Sequence, residues 1–339
     1  MKALITGANG QSGSYLSELL LEKGYTVVGA IRRSSTNTLS RLTTAMKNPN
    51  FKLVTFDVTD LSSIYSMLSA EKPSEIYNLS AQSHVGVSFE QPIQTWRSVA
   101  EGCLNMLEGV RTICPEARFY QASSSEQFGS SFTIDENTGE KYQDESTPFC
   151  PQSPYAVAKV AAHNSVNLYR KAYGLHASCG ILFNHESPRR GHNFVTRKIT
   201  SYLGTIHKTA LYEPGTNRLY PTYTERLRLG NLHSYRDWGH AKDYVRAMWL
   251  MLQQPEPDDY VICTEETHTV EQFLAQAFEY AGFGDWRPHV VIDPALIRPA
   301  EVDYLRGSYM KAKDVLGWEP EYNFLSLCKE MVAEDLRWA

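Results

Sequence analysis

The chain reads as an α/β protein, a doubly wound parallel sheet joined to a smaller, interleaved C-terminal α/β lobe. Three observations predict this. A short apolar strand runs straight into Gly7-Ala8-Asn9-Gly10-Gln11-Ser12-Gly13 and then into a helical pattern. Apolar strand-like runs go on alternating with helix-period segments to residue 182, which demands parallel strands joined by crossover helices on both faces. Beyond that point the rhythm lapses into polar, cationic loops between helical stretches. The expected division is 1–182 and 183–339, with about 229–262 returning to the first unit.

The first strand covers residues 2–6. The helix after it sets Tyr15, Leu16, Leu19, Leu20 and Leu21 against Glu18, Glu22 and Lys23. Gly24 stops the helix, and residues 25–31 form the second strand. Gly7, Gly10 and Gly13 let the backbone approach a pyrophosphate, and the helix start offers free N–H groups and a positive dipole end. This is the Rossmann-type dinucleotide arrangement in its proper strand–turn–helix context. At the end of the second strand an acidic residue would accept a hydrogen bond from the ribose 2′-hydroxyl of NAD. Arg32-Arg33-Ser34-Ser35 stands there instead, suited to a 2′-phosphate, so NADP is the expected cofactor. A solvated basic turn is the alternative.

A third strand over 52–57 ends at Asp57-Val58, where Asp57 either meets the adenine amino group or caps the helix at 60–70. Residues 75–79 are the fourth strand, opening into Ser80-Ala81-Gln82-Ser83-His84-Val85. Ligands bind at strand carboxyl ends in open parallel sheets. Leu79, Ser80, Ala81 and Ser83 are therefore assigned to the cofactor, Ser83 also to the substrate, and His84 to a structural or phosphate-side role. One long helix over 93–113 leads to the fifth strand at 118–121 and the run Ala122-Ser123-Ser124-Ser125-Glu126. Residues 130–149 read as a surface excursion. A helix from 153 to 173 ends at Gly174, and 177–182 is the sixth strand.

That last helix carries Tyr155 and Lys159, four residues apart and so on one face, one turn from each other. A phenol titrates near pH ~10 and is a weak base at neutrality. An ammonium one turn away favours the phenolate. With a hydroxyl from the serine run to hold an alcohol, the set suits taking a proton from that alcohol while hydride leaves its carbon. A packed tyrosine with an exposed lysine is the alternative reading.

A net charge of −5 argues against a nucleic-acid partner. The six cysteines at 103, 114, 150, 179, 263 and 328 are scattered without metal-type spacing. They suit a reducing compartment, and no metal is expected. No apolar run is long enough for a membrane span, and the first core strand begins at once, so a cytosolic protein is expected. In the second half, Asn184 to Gly191 is a cationic loop, and a helix starts near 195. Residues 212–228 are loop-like, and helices follow at 243–252, 270–281 and 324–337.

Gly7-x-x-Gly10-x-x-Gly13 and Tyr155-x-x-x-Lys159 resemble the extended short-chain dehydrogenase/reductase superfamily. More narrowly, the chain resembles the GDP-mannose 4,6-dehydratase family. That likeness rests on Asn184-His185-Glu186-Ser187-Pro188-Arg189-Arg190-Gly191, on Phe194-Val195-Thr196-Arg197-Lys198-Ile199, on Arg236-Asp237-Trp238-Gly239-His240-Ala241-Lys242-Asp243 and on Arg298-Pro299-Ala300-Glu301. The resemblance implies a catalytic set of Ser124, Glu126, Tyr155 and Lys159, with Glu126 as the base for the carbon-5 proton of a hexose. It implies an NADP site that includes Asn9, Gln11, Ser12, Val58, Tyr155, Lys159, His185 and Arg190. It also implies a GDP-sugar clamp of Ser83, Ser124, Glu126, Asn184, Arg190, Val195, Lys198, Arg218, Arg236, Arg298 and Glu301. A homo-oligomer, tetramer or dimer, is expected, with the 32–41 loop reaching a neighbour's cofactor.

The chain departs from the family pattern at Ser124 for threonine, at His233-Ser234-Tyr235 for an opening aspartate, and at Ser308 for aspartate. In addition, 28 residues separate Thr200 from Leu229, about twice the family's spacing. That segment carries Tyr212, Tyr220, Tyr223, Arg218, Arg226 and Arg228 and reads as a lid or as an oligomer contact or tolerated insertion. The reaction the resemblance implies is dehydration of GDP-mannose to the GDP-4-keto-6-deoxy sugar by internal redox through NADP; with a lid, a bulkier sugar such as a GDP-manno-heptose is the alternative substrate. Two further readings are a nucleotide-sugar 4-epimerase or 4-keto reductase of the same fold, and a non-catalytic NADP(H)-binding regulator. Glu126 disfavours the former and the intact catalytic set the latter.

Overall fold

A computed structural model describes residues 1–212, 219–223 and 225–337. The first half comprises β1 (Lys2–Thr6), α1 (Gln11–Glu22), β2 (Thr26–Ile31), β3 (Phe51–Thr55), α2 (Leu61–Glu71), β4 (Glu75–Asn78), α3 (Val85–Glu90), α4 (Pro92–Trp96), α5 (Gly102–Ile113), β5 (Arg118–Ser124), a hairpin of β6 (Thr133–Ile134) and β7 (Lys141–Tyr142), α6 (Pro154–Tyr173) and β8 (Ala177–Leu182). The second half comprises β9 (Asn184–Glu186), α7 (Val195–His207), β10 (Ala210–Tyr212), β11 (Leu219–Pro221), β12 (Leu227–Leu229), β13 (Tyr235–Arg236), β14 (Trp238–His240), α8 (Ala241–Gln253), β15 (Asp259–Ile262), β16 (His268–Thr269), α9 (Val270–Tyr280), β17 (Val290–Ile292), α10 (Met310–Leu316) and α11 (Phe324–Arg337).

Seven strands form one sheet in the order β3-β2-β1-β4-β5-β8-β15, and every pairing in it is parallel. The order reverses between β1 and β4, and a ligand cleft opens outside the strand carboxyl ends at such a switch point. Both faces of a parallel sheet must be covered, so its strands are apolar on both sides. One face buries Leu16 and Leu20 of α1 with Val245, Met248 and Met251 of α8. The other buries Ile64 and Leu68 of α2, Met106 and Val110 of α5, and Val166 of α6. A separate core joins α7, α9 and α11 through Leu203, Phe273, Leu327 and Met331. No helix among the described residues is long and apolar enough to cross a membrane.

Three local expectations are corrected. The single helix over 93–113 is broken by a π-helical turn at Arg97–Glu101. Its wider turn brings Val99 and Ala100 into the cluster around Tyr155 and Ala158, while α5 keeps its own apolar face on the sheet; periodicity cannot register the extra residue in that turn. Residues 130–149 are not a free excursion. Gln143 is buried, its amide donates to Arg306 O at 2.8 Å, and its carbonyl accepts from the Ser308 amide at 2.9 Å. Residues 212–228 are not all loop, since β10 and β11 pair antiparallel and β12 pairs with β17.

Candidate active site

The glycine turn is shaped by close approach. Gly7 has φ +66°, and a Cβ at Gly13 would lie 2.5 Å from Gly7 O and 2.7 Å from Ala8 Cα. The start of α1 therefore sits against the end of β1 as only glycine allows, and its first amides face the cleft without intrahelical acceptors. Beneath the switch point runs a buried polar chain. Thr6 Oγ1 donates to Asn78 Oδ1 at 2.8 Å, and Asn78 Nδ2 to Gln121 Oε1 at 2.7 Å. Thr6 Oγ1 also accepts from the amides of Leu79 and Ser80, which fixes the loop after β4.

The cleft has a volume of about 1260 Å³. It is lined by Gly7, Asn9, Gly10, Gln11, Ser12, Gly13, Arg32, Asp57, Val58, Leu79, Ser80, Ala81 and Ser83, by Ser124, Glu126, Tyr155, Lys159, His185 and Arg190, and by Asn184, Val195, Lys198, Arg236, Arg298 and Glu301. Arg218 lies outside the described residues. None of the described residues of 201–228 lines the cleft, and the tip of the segment expected to form a lid lies outside the described residues. Tyr202 and Tyr223 instead meet edge to face at 6.5 Å, Tyr202 lies over Phe278, and Arg228 pairs with Asp293 at 2.9 Å.

Helix α6 is placed by Ser153, whose Oγ accepts from the Ala156 amide at 3.1 Å, and ends at Gly174 with φ +67°. Tyr155 thus stands on its first turn, with the Ser124 side chain beside its phenol in the cleft. Lys159 Nζ donates to Ala122 O at 2.5 Å and lies 5.6 Å from the Tyr155 ring centroid. Burial pushes the phenol up to about 12, against the lowering by the Ser124 hydrogen bond and the Arg190 charge. Burial likewise pushes the Lys159 ammonium down to about 8. The expected net lowering of the phenol is therefore reversed, because desolvation outweighs its stabilising neighbours.

Glu126 is buried on the turn after β5, with Arg298 Nη1 at 3.8 Å from its Oε1. Arg236 is buried and lies 3.7 Å from Glu301, whose carboxylate also accepts from the Arg298 amide at 3.2 Å. Arg190 pairs with the buried Glu186 at 3.1 Å and covers the Phe194 ring at 3.6 Å. His185 sits between Ser12 Oγ at 2.8 Å and Phe183 O at 3.0 Å, and burial pushes its imidazole down to about 3. His84 caps α3 through Nδ1 and reaches Asn193 O at 3.3 Å. The cap of α2 is Asp60, while Asp57 accepts from the Thr59 amide and hydroxyl. Helix capping is thus not the role of Asp57.

Sequence reading missed several lining residues, including Thr38, Asn231, Ser234 and Leu296. Thr38 accepts from Asn9 Nδ2 at 3.0 Å, and Asn231 donates to Ser234 Oγ at 2.7 Å. They lie on loops without periodicity or motif, and only the fold brings them to the cleft.

The glycine turn, the parallel sheet and the set of Ser124 at the end of β5 with Tyr155 and Lys159 on α6 are those of an extended short-chain dehydrogenase/reductase. Residues 4–331 match the family model for GDP-mannose 4,6 dehydratase. GDP-mannose 4,6 dehydratase 1 of Arabidopsis thaliana is 51% identical over 99% of this chain and 90% of its own length. Among solved structures, the dTDP-glucose 4,6-dehydratase DesIV of Streptomyces venezuelae, with NAD bound, superposes with a TM-score of 0.83 at 21% identity, covering 98% of this chain and 96% of its own. RMD of Pseudomonas aeruginosa, complexed with NADPH, gives 0.76 at 20% identity over 100% and 99% of the two chains. The chain belongs to the GDP-mannose 4,6-dehydratase family.

Proposed function

We propose that the protein dehydrates GDP-mannose to the GDP-linked 4-keto-6-deoxy sugar by internal redox through NADP. The single observation that carries the reaction type is a buried carboxylate, Glu126, in the same cleft as Ser124, Tyr155 and Lys159. A 4-epimerase or simple reductase has no need of such a base. The fit of a dinucleotide rests on the glycine cradle, which a Cβ at Gly13 would fill, and on Arg32, Arg33 and Ser34 lining the adjoining cleft.

A nicotinamide dinucleotide bound there supplies the acceptor for hydride from carbon 4 and its return to carbon 6. Tyr155 takes the proton of the 4-hydroxyl while Ser124 hydrogen-bonds the same oxygen and Lys159, braced on Ala122 O, supplies positive charge. The 4-ketone acidifies the carbon-5 hydrogen, which Glu126 removes, and Glu126 with Ser124 passes a proton to the departing 6-hydroxyl. Arg190, Lys198, Arg236 and Arg298 give one wall of the cleft the charge that a sugar-linked diphosphate requires. Glu301 suits guanine's adjacent N–H donors. The expected homo-oligomer is supported by exposed apolar side chains at Ile93, Leu104, Val157 and Leu168.

Incubation with a panel of GDP-, UDP-, CDP- and dTDP-sugars, including GDP-manno-heptose, followed by mass, tests the assignment. A product lighter than GDP-mannose by the mass of one water is expected. Preference for a non-guanine nucleotide would overturn it.

A further inference from the structure

His163 lies one turn beyond Lys159 on α6, so Tyr155, Lys159 and His163 form a stripe on one face at four-residue spacing. Each member of the stripe meets β5: Tyr155 meets Ser124, Lys159 meets Ala122 O, and His163 meets Ser123. The third contact is 3.0 Å, from Ser123 Oγ to His163 Nδ1. On its far side His163 Nε2 lies 3.4 Å from Asp259 Oδ2, at the start of edge strand β15. Asp259 Oδ1 is held in turn by Arg170 Nη2 at 2.5 Å and the Cys179 amide at 3.0 Å. With the carboxylate facing Nε2, the imidazole tautomer protonated there leaves Nδ1 as the acceptor for the Ser123 hydroxyl. Both Ser123 and His163 are only 4% exposed, so in this low-dielectric setting the chain of bonds holds one geometry.

We infer that His163, oriented by Asp259, is a positioning residue that fixes the Ser123–Ser124 end of β5 against the catalytic turn of α6. It touches no reacting atom. It acts through Ser123, whose neighbour Ser124 lines the cleft beside the Tyr155 phenol, and a displacement of about 1 Å at such a site costs up to ~10²-fold in rate. The anchor comes from beyond residue 183, so the far edge of the sheet is tied to the catalytic hydroxyls by side chains rather than by strand pairing alone.

His163, Cys179 and Asp259 also stand within 4.8 Å of one another, a separation at which three such groups can hold a metal ion. The Arg170 guanidinium occupies one side of Asp259, and burial pushes the Cys179 thiol well above its usual range. Both oppose a thiolate–metal centre, and favour the brace.

The inference rests on the proposed reaction for its kinetic readout. Full-length His163→Leu, Ser123→Ala and the double variant are compared for kcat, sugar-nucleotide KM, dinucleotide affinity and amide exchange over residues 122–127. His163→Leu is expected to lower kcat about ten- to a hundredfold with KM and dinucleotide affinity unchanged. In the Ser123→Ala background the same change should cost nothing further. His163→Asn, which keeps an acceptor near Nδ1, should recover much of the loss, and it serves as the test if His163→Leu does not fold. Exchange at 122–127 should accelerate in unliganded His163→Leu, and that result stands whichever sugar is turned over. Full kcat in His163→Leu, additive losses in the double variant, unchanged exchange, or stoichiometric zinc binding that His163→Leu abolishes would each overturn the brace.

Discussion

Tyr155 has to surrender and accept a proton, yet its burial holds the phenol up at about 12. Its reactivity in the cleft therefore depends on charges that the occupied site brings together. Tyr155→Phe is expected to bind dinucleotide normally and to lose at least about a hundredfold in turnover, the scale of an acid–base group; stopped-flow binding and steady-state rates check both halves. His185 gives a prediction on pH. Its imidazole, ordinarily near 6.5, is pushed down to about 3, so as pH falls the unfolded chain takes up this proton before the folded one does. Stability is lost from about pH 6.5 downward. Thermal midpoints of cofactor-free protein between pH 7 and 4 should fall less steeply in His185→Asn than in the parent. Equal slopes would remove His185 from the account.

Among the elements, the β1–turn–α1 unit and α6 carry the site. Gly13→Ala would force a Cβ to 2.5 Å from Gly7 O, which cannot relax because the obstacle is backbone. The helix start must then retreat from β1, and dinucleotide affinity should fall by at least about tenfold, roughly 1.4 kcal/mol, measured by calorimetry. At α6, Ser153→Ala removes the acceptor for the Ala156 amide, a cap worth about 0.5–2 kcal/mol. Chemical denaturation should report that loss, and kcat should drop with it because the capped turn carries Tyr155. The π-turn at Arg97–Glu101 shows how an element adapts to its neighbours: the added residue brings Val99 and Ala100 to Tyr155 and keeps Met106 and Val110 in the sheet core.

For the whole molecule, the cleft runs from Arg32 to Glu301, joining residues from both halves of the chain. After β2 the cleft is lined by Arg32 and Arg33 rather than by the acidic residue that would accept from a free ribose 2′-hydroxyl. NADP⁺ is therefore expected to bind more tightly than NAD⁺, and Arg32→Asp to narrow or reverse the preference by calorimetry. Equal affinities in the parent would refute the assignment. The 201–228 segment carries a different expectation from the one its length invites. Ile206 and Leu203 of α7 are fully buried in the α7–α9–α11 core, and Leu229 closes β12 beside it. Shortening the segment into α7 should lower stability before it changes which sugar is taken.

By itself the sequence determined the period of β1, α1, β2, α6 and β8, the glycine turn, the Tyr155–Lys159 spacing and the family. All of these are local patterns, written in contiguous residues. Gly24 and Gly174 could be read as helix stops because positive φ is a property of a single residue. The sequence did not determine the net titration of Tyr155, because desolvation depends on what covers the phenol from other elements. It could not place Gln143 against residues 306–308 or Asp259 against His163, since each pairing joins distant segments. Nor could it show that the aromatics Tyr202 and Tyr223 pack on one another near Phe278 rather than over a ligand. Those outcomes belong to the tertiary structure, where burial and side-chain pairing are set by neighbours that no sequence window contains.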